Sequence, residues 1–483
     1  QADRAPSQRA IKGLMSAFEL SRRAWLKGAG ATLLSAVPGL GRALAATGGR
    51  DSPRALGYGP LESDSRNILD LPAGFSYRII SRTGDPMDDG LRVTGLPDGM
   101  HAFPGKAGGV RLLRNHELHP GSPDSAFAHL PQGPDAEVRA RMYDRAVGRG
   151  GVTTVVYDTA AGKVERQFLS LAGTLRNCGG GATPWGSWIS CEEIVIRRGQ
   201  YKAERDHGFN FEVPSRSNEL SKAVPLIPMG RFNHEAVSVD PRSGAIYQSE
   251  DRPDGLFYRF LPRSRGELTE GGRLQALVIQ GHPHLFTGNW GFGARVPLGV
   301  RLPVSWIALE SVEAPDDGLR HQGRERGAAA FAGGEGLTVQ RRGGGDSASI
   351  WLVCTAGGRN KRGQLWCYRP SPYEGTPRER EQPGTLELSL EPNDSRLLSR
   401  GDNICVAPTG DLIVCEDSAK VQRLVGITPR GALYSLAANP RANSEFAGAT
   451  FAPDGSTLFV NLQFLGLTFA IDGPWEARDP REA

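Results

Sequence analysis

The chain has 483 residues, with 57 Lys+Arg against 53 Asp+Glu and a formal net charge of +4, too small an imbalance for a dedicated nucleic-acid binder. At 39% hydrophobic and 23% charged residues it is neither disordered nor collagenous, and it can bury a large core. Gly 63 and Pro 34 against Met 5 point to many short strands and tight turns rather than long helices.

Near the N-terminus, Ser21-Arg22-Arg23-Ala24-Trp25-Leu26-Lys27 resembles a twin-arginine export signal. The apolar run that follows is broken by glycines, Pro38 and Arg42, which makes it too short and interrupted for a stable membrane span, and Ala43-Leu44-Ala45 fits a cleavage site. Residues 1–45 are therefore expected to be a signal region read by the twin-arginine export machinery. Residues 46–483 are expected to form a single periplasmic or secreted domain, acting as a monomer.

Self-similarity organises the rest of the chain. Strand, Pro/Gly turn, strand, then an acidic or amide ending recurs from Asp98 to Glu117, Cys178 to Glu193, Glu235 to Asp251, Gly334 to Cys354, Asn403 to Asp417 and Gly448 to Gln463. Six unevenly spaced hairpins without helical periodicity between them predict an all-β fold, a six-bladed β-propeller with loop insertions. A pair of β-sandwiches is the alternative.

In an antiparallel hairpin the start of the first strand lies beside the end of the second. His234 and Glu235 are thus expected near Glu250 and Asp251, Asn177 and Cys178 near Glu192 and Glu193, and Asp402 and Asn403 near Glu416 and Asp417. Taken singly, each acidic pair fits a solvated strand end. Taken together, they fit one channel mouth, where the carboxylates repel unless cations lie between them.

Six cysteines in an exported chain raise the question of disulfides. Cys354 with Cys367 and Cys405 with Cys415 each flank a turn, as either cross-strand disulfides or small buried residues. His282-Pro283-His284 stands alone in a Gly/Pro loop and is expected at the surface. No serine-hydrolase elbow and no Walker-type phosphate loop occurs.

Several segments, in order along most of the chain, resemble the PhoX family of exported alkaline phosphatases: Arg114-Asn115-His116-Glu117, Arg176-Asn177-Cys178-Gly179-Gly180-Gly181, Ser190-Cys191-Glu192-Glu193, Gly230-Arg231-Phe232-Asn233-His234-Glu235, Ser249-Glu250-Asp251, Gly334-Glu335-Gly336 and Gly401-Asp402-Asn403. The resemblance implies a propeller whose mouth holds Fe3+ and Ca2+ and which acts on small phosphate monoesters. It implies Cys178 as an iron-bound thiolate and Glu193, Glu235, Glu335, Asp402 and Glu117 as metal-binding carboxylates, a division that suits hard oxygen ligands for calcium and a thiolate for a transition metal. The chain departs from the family at Gly333, where the pattern has an arginine. Asn115 and the basic turn carrying Arg359 and Lys361 are the expected phosphate contacts in its place. Two other functions fit a metal-bearing propeller: a calcium-dependent hydrolase of lactones or esters, and a non-catalytic module whose calcium ions are structural.

Overall fold

Runs rich in Val, Ile, Leu and aromatic residues, bounded by glycine turns, form the antiparallel strands of the protein. The structure, a computed structural model, describes residues 57–477 apart from 292, 294, 342–347, 419–420 and 442–443. The proposed signal region at 1–45 lies outside the described residues.

Three sheets have four strands. One runs Pro97–Pro104, Val110–His116, Gly150–Asp158, Lys163–Thr174; another runs Gly401–Val406, Leu412–Glu416, Gln422–Ile427, Leu433–Asn439. In the third, Phe446–Phe451, Thr457–Leu462 and Leu467–Asp472 are completed by Ser76–Arg82 from the other end of the described chain, with Tyr77 opposite Ile471. Gly181–Ala182, Ser187–Cys191 and Asn210–Pro214 make a three-stranded sheet.

The remaining large sheet has nine strands instead of two separate sets of four. Arg301–Ala308 pairs with Gly272–Ile279 along one edge and, through Arg301–Pro303, with Thr385–Leu390 on the other. This insertion strand stitches the hairpins at 234–279 and 334–390 together. Among the described residues only Ala136–Arg141 and Leu319–Glu325 are α-helical.

The first strands of the successive sheets (97–104, 181–182, 234–239, 334–341, 401–406, 446–451) each touch the next, and the last touches the first. The result is an all-β, propeller-like arrangement around a central cavity of about 460 Å³. Consecutive residues such as Leu112 and Leu113, Phe257 and Tyr258, or Leu458 and Phe459 are all buried. Both faces of these strands are therefore covered by neighbouring sheets. A β-sandwich would alternate buried with solvated positions, so that alternative is set aside.

All six cysteines are free thiols. The turn between the second and third strands is not symmetric about its centre, so Cys354 lies opposite Gln364 and Cys367 opposite Trp351. Cys405 lies opposite Ile413, and Cys415 pairs with Leu424 on the far side. The pairs are small buried residues, apart from the half-buried Cys405.

Candidate metal centre

Each first strand carries an irregularity at the same level. The register slips by one residue between Pro97 and Met100, His234 and Val237, Gly334 and Leu337, Gly401 and Ile404, and Ala447 and Thr450. The stretch from the Asn177–Glu192 bridge to the Gly181–Ile189 pair does the same. A bulge re-aims the side chain it contains. Asp98, Cys178, Glu235, Glu335 and Asp402 all lie in these bulges, which bring them to one mouth of the ring.

Small residues let the strands approach there. A Cβ on Gly99 or Gly179 would overlap the backbone of the next strand, and one on Gly336 would stand 2.6 Å from the carbonyl oxygen of Asp402. Those contacts fall on the ligand-bearing residues themselves: Gly99 meets the carbonyl of Cys178, Gly179 that of Glu235, and Gly448 that of Asp98.

Ligand atoms within 4.8 Å of one another form four sets: Asp98, Glu117, Cys178; Cys178, Glu193, Glu235; Glu235, Glu335, Asp402; and Asp402, Asp417, Glu445. Cys178, Glu235 and Asp402 are shared, so the sets make one continuous row. All six residues expected as metal ligands, Glu117 included, stand in it. Asp417, expected beside Asp402 from the hairpin but not as a ligand, joins them, as do Asp98 and Glu445, which were not singled out. Asp98 was open to discovery, because its Asp-Gly dipeptide repeats the ligand-Gly pattern of Cys178-Gly179 and Glu335-Gly336. Glu445 carries no local signal, since the tertiary fold alone brings it in.

The electrostatics of the row are unfavourable without cations. Burial, then the neighbouring Glu117 and Asp402, pushes Asp98 well above the usual carboxylate range. Burial, then Glu335 and Asp402, does the same to Glu235. Cys178 donates to Glu235 Oε1 at 3.2 Å, and burial followed by the surrounding carboxylates raises its thiol. Asp98 Oδ1 and Glu235 Oε2 are buried without a hydrogen-bond partner. Orphaned carboxylate oxygens beside a thiol suit bound cations, which would replace the missing donors and favour the ionised forms.

No acidic pair contributes both of its members, and Glu250-Asp251 contributes neither to the four sets. Glu192 turns away to accept from Leu175 N, Gly208 N and His207 Nδ1 at 2.9, 2.8 and 2.6 Å. Glu416 holds Ser399 N and Arg423, and Glu250 holds Leu256 N and the Tyr258 hydroxyl. The expectation that both acids of a pair converge is corrected to this: the first anchors a loop, and at Glu193 and Asp417 the second faces the row. The histidines of the two Asn-His-Glu motifs also serve the scaffold, His116 bonding Gly95 O and Thr153 Oγ1 and His234 bonding Gly230 O.

Asn115 does not face substrate. It is buried; its amide N–H groups donate to the carbonyls of Cys178 (2.8 Å) and Gly179, and its oxygen accepts from Trp188 Nε1 and Ser190 Oγ, both at 2.8 Å. With its bonding capacity spent, it fixes the Cys178 backbone. Arg359 is exposed on its turn, and Lys361 Nζ sits 4.1 Å from the Trp290 ring centre. At Gly333, φ is +67° and a Cβ would stand 2.9 Å from Thr355 Cγ2, a backbone shape that suits glycine. His284 is exposed, as expected, and bonds Arg324 O.

The sequence profile of alkaline phosphatase PhoX matches residues 56–165 and 157–466 of this chain. Among solved structures, the chain is similar to PhoX from Pseudomonas fluorescens in complex with vanadate, a transition state analogue, at 15% identity over 87% of this chain and 98% of that one, with a TM-score of 0.61. A gluconolactonase from Xanthomonas campestris matches at 12% identity over 82% of this chain and 98% of its own, but at a TM-score of 0.36 it carries no argument. No curated protein sequence matches the chain.

Proposed function

The chain belongs to the PhoX family of alkaline phosphatases, and from that premise we propose how its mouth performs the family's reaction, metal-dependent hydrolysis of phosphate monoesters. The observation that carries the proposal is the continuous row of four ligand sets sharing Cys178, Glu235 and Asp402.

In this reading Cys178, with Glu193 and Glu235, takes Fe3+, since a thiolate favours a transition metal over calcium. Glu335, Asp402, Asp417 and Glu445 offer only carboxylates and take Ca2+. Asp98 and Glu117 complete the first set. When bound, such cations withdraw charge from phosphate oxygens and favour attack at phosphorus. The chain's own contribution is to hold the ligands in bulges on a rigid ring and to anchor the neighbouring loops through Glu192, Glu250 and Glu416. Asn115 orients the Cys178 backbone, and Arg359 and Lys361 draw the substrate dianion to the rim.

The same proposal covers organisation and location. The closed ring of first strands and the bridging role of Arg301–Ala308 support six blades, with the nine-stranded sheet counted as two, in one domain spanning 46–483 and acting as a monomer. The twin-arginine motif at 21–27 supports export to the periplasm or beyond by the twin-arginine machinery. No helix among the described residues is long and apolar enough to cross a membrane.

The test is metal analysis and turnover of a simple phosphate monoester by protein purified after native export. Iron and calcium together, with activity and melting temperature both falling in excess chelator, are expected. Full activity and an unchanged melting temperature in chelator would sink the clustered-cation reading. Metal-bearing protein that cleaves lactones but no phosphate ester would favour the alternative hydrolase.

A further inference from the structure

Backbone geometry repeats just ahead of the ligand row. Leu96, Arg176, Gly333 and Arg400 each lie two residues before a row member, Asp98, Cys178, Glu335 and Asp402 respectively. All four have positive φ: +45°, +43°, +67° and +56°. This left-handed shape is strained for any residue but glycine. One backbone shape at an equivalent position in four sheets, strained at Leu96, Arg176 and Arg400, marks a shared device that turns a side chain there out of the strand and toward the mouth.

Two of the four positions carry arginine. The Arg176 guanidinium bridges Glu117 and Glu193, with Nε 2.9 Å from Glu117 Oε1, and so contacts the first two ligand sets at once. Its side chain is 17% exposed. Arg400 lies beside Asp417 of the fourth set, with Nε donating to the Asp417 carbonyl at 3.1 Å and a side chain 24% exposed. In the ring of first strands, the strand that follows Arg176 is second and the one that follows Arg400 is fifth, so the two arginines enter from opposite sides. Gly333 and Leu96 bring no charge to the intervening positions.

We infer that Arg176 and Arg400 are the substrate-binding cations of this mouth, gripping the phosphate dianion from two sides. The inference rests on the proposed phosphatase reading and names the residues that recognise its substrate. A guanidinium in contact with ligand carboxylates meets any dianion drawn to the cations those carboxylates hold, and its planar fork matches phosphate oxygens. Arg176 has the larger share, because it touches two sets where Arg400 touches one.

The experiment measures calorimetric binding of inorganic phosphate to metal-loaded protein, with metal content determined on the same samples. Arg176→Gln is expected to keep its metals and bind phosphate at least tenfold more weakly. Arg400→Gln should lose severalfold, and Arg176→Lys, with charge but no fork, should fall between wild type and Arg176→Gln. The KM for a phosphate monoester should rise in step with the phosphate dissociation constant. Affinity of Arg176→Gln within twofold of wild type overturns the inference. Loss of metal in Arg176→Gln and Arg176→Lys alike also overturns it, because the arginine would then be a clamp for Glu117 and Glu193. Wild-type protein that holds its metals but neither binds phosphate nor cleaves a monoester refutes the phosphatase reading itself, and this inference with it.

Discussion

Gly99→Ala probes how closely the ring must pack to hold its ligands. The new methyl would overlap the Gly179 carbonyl and stand 2.7 Å from the Cys178 carbonyl oxygen. Ordinary contact needs about 3.4 Å, so to clear the Gly179 carbonyl the first and second inner strands must part by more than about 1 Å, an overpacking cost of about 3 kcal/mol. Over the roughly 430 residues of 54–483, an unfolding entropy of about 2.1 cal/mol/K per residue totals about 0.9 kcal/mol/K, which converts that cost to a melting point about 3 °C lower. The functional effect should be larger. Asp98 is the adjacent residue and Cys178 the displaced partner, whereas metal sites tolerate ligand shifts of only about 0.2 Å. Metal content and phosphatase activity should therefore fall by more than tenfold while the protein still folds. Gly318→Ala, with nothing within 4 Å of the added methyl, is the control and should change stability by less than about 0.5 kcal/mol. Calorimetry and elemental analysis on both variants decide the matter. A Gly99→Ala protein with wild-type melting point and metal content would refute the reasoning.

Cys178→Ser should lower iron while calcium largely remains, since a serine hydroxyl is a poor substitute for thiolate; elemental analysis showing both metals unchanged would count against the assignment. Burial lowers the affinity of His207 for a proton, but Glu192 and Asp144 outweigh it and raise its pKa to about 9. Its stabilising contribution, on the order of 3 kcal/mol, is full below the unfolded value of about 6.5 and is lost as pH rises through about 9, so His207→Gln should flatten denaturant stability against pH across that window. Replacing both Arg359 and Lys361 by Ala should raise KM for a small phosphate monoester by about tenfold without changing metal content, and an unaltered KM would reduce the turn to solvated surface.

Hairpin spacing made much of this legible, because strand pairing is local. Asn177 beside Glu192 and His234 beside Glu250 follow from counting residues across a turn, and they brought the right ends of the right strands to one mouth. The bulges were not legible. An extra residue in one strand leaves no compositional mark, yet it decides which side chain of a pair turns inward, and so Glu192, Glu250 and Glu416 were expected in the site and are found anchoring loops. Asn115 was misjudged for a related reason: a polar residue in a recurring Asn-His-Glu motif reads the same whether it faces substrate or a neighbouring strand's carbonyl. The merging of two hairpin sets by Arg301–Ala308 depended on an insertion whose docking edge is set by tertiary contact. Glu445 entered the row only through the packing of consecutive sheets, whereas Asp417 is set beside Asp402 by its own hairpin.

The pairing of Ser76–Arg82 with Leu467–Asp472 makes the last stitch of the ring wait for a segment translated long after its partner. The two partners are separated by roughly 390 residues, so at about 5–20 residues per second the early strand waits about 20–80 s for its neighbour. During that time it is an open edge, the kind of surface that recruits other chains. Its sequence, Ser-Tyr-Arg-Ile-Ile-Ser-Arg, sets Arg78 and Arg82 among the apolar positions, where charge acts as a guard against such pairing. Asp98 in the first sheet receives its close neighbour Gly448 only when the final sheet has arrived. The nascent chain therefore carries the acidic row without its enclosure until residues 446–472 have been made and have docked.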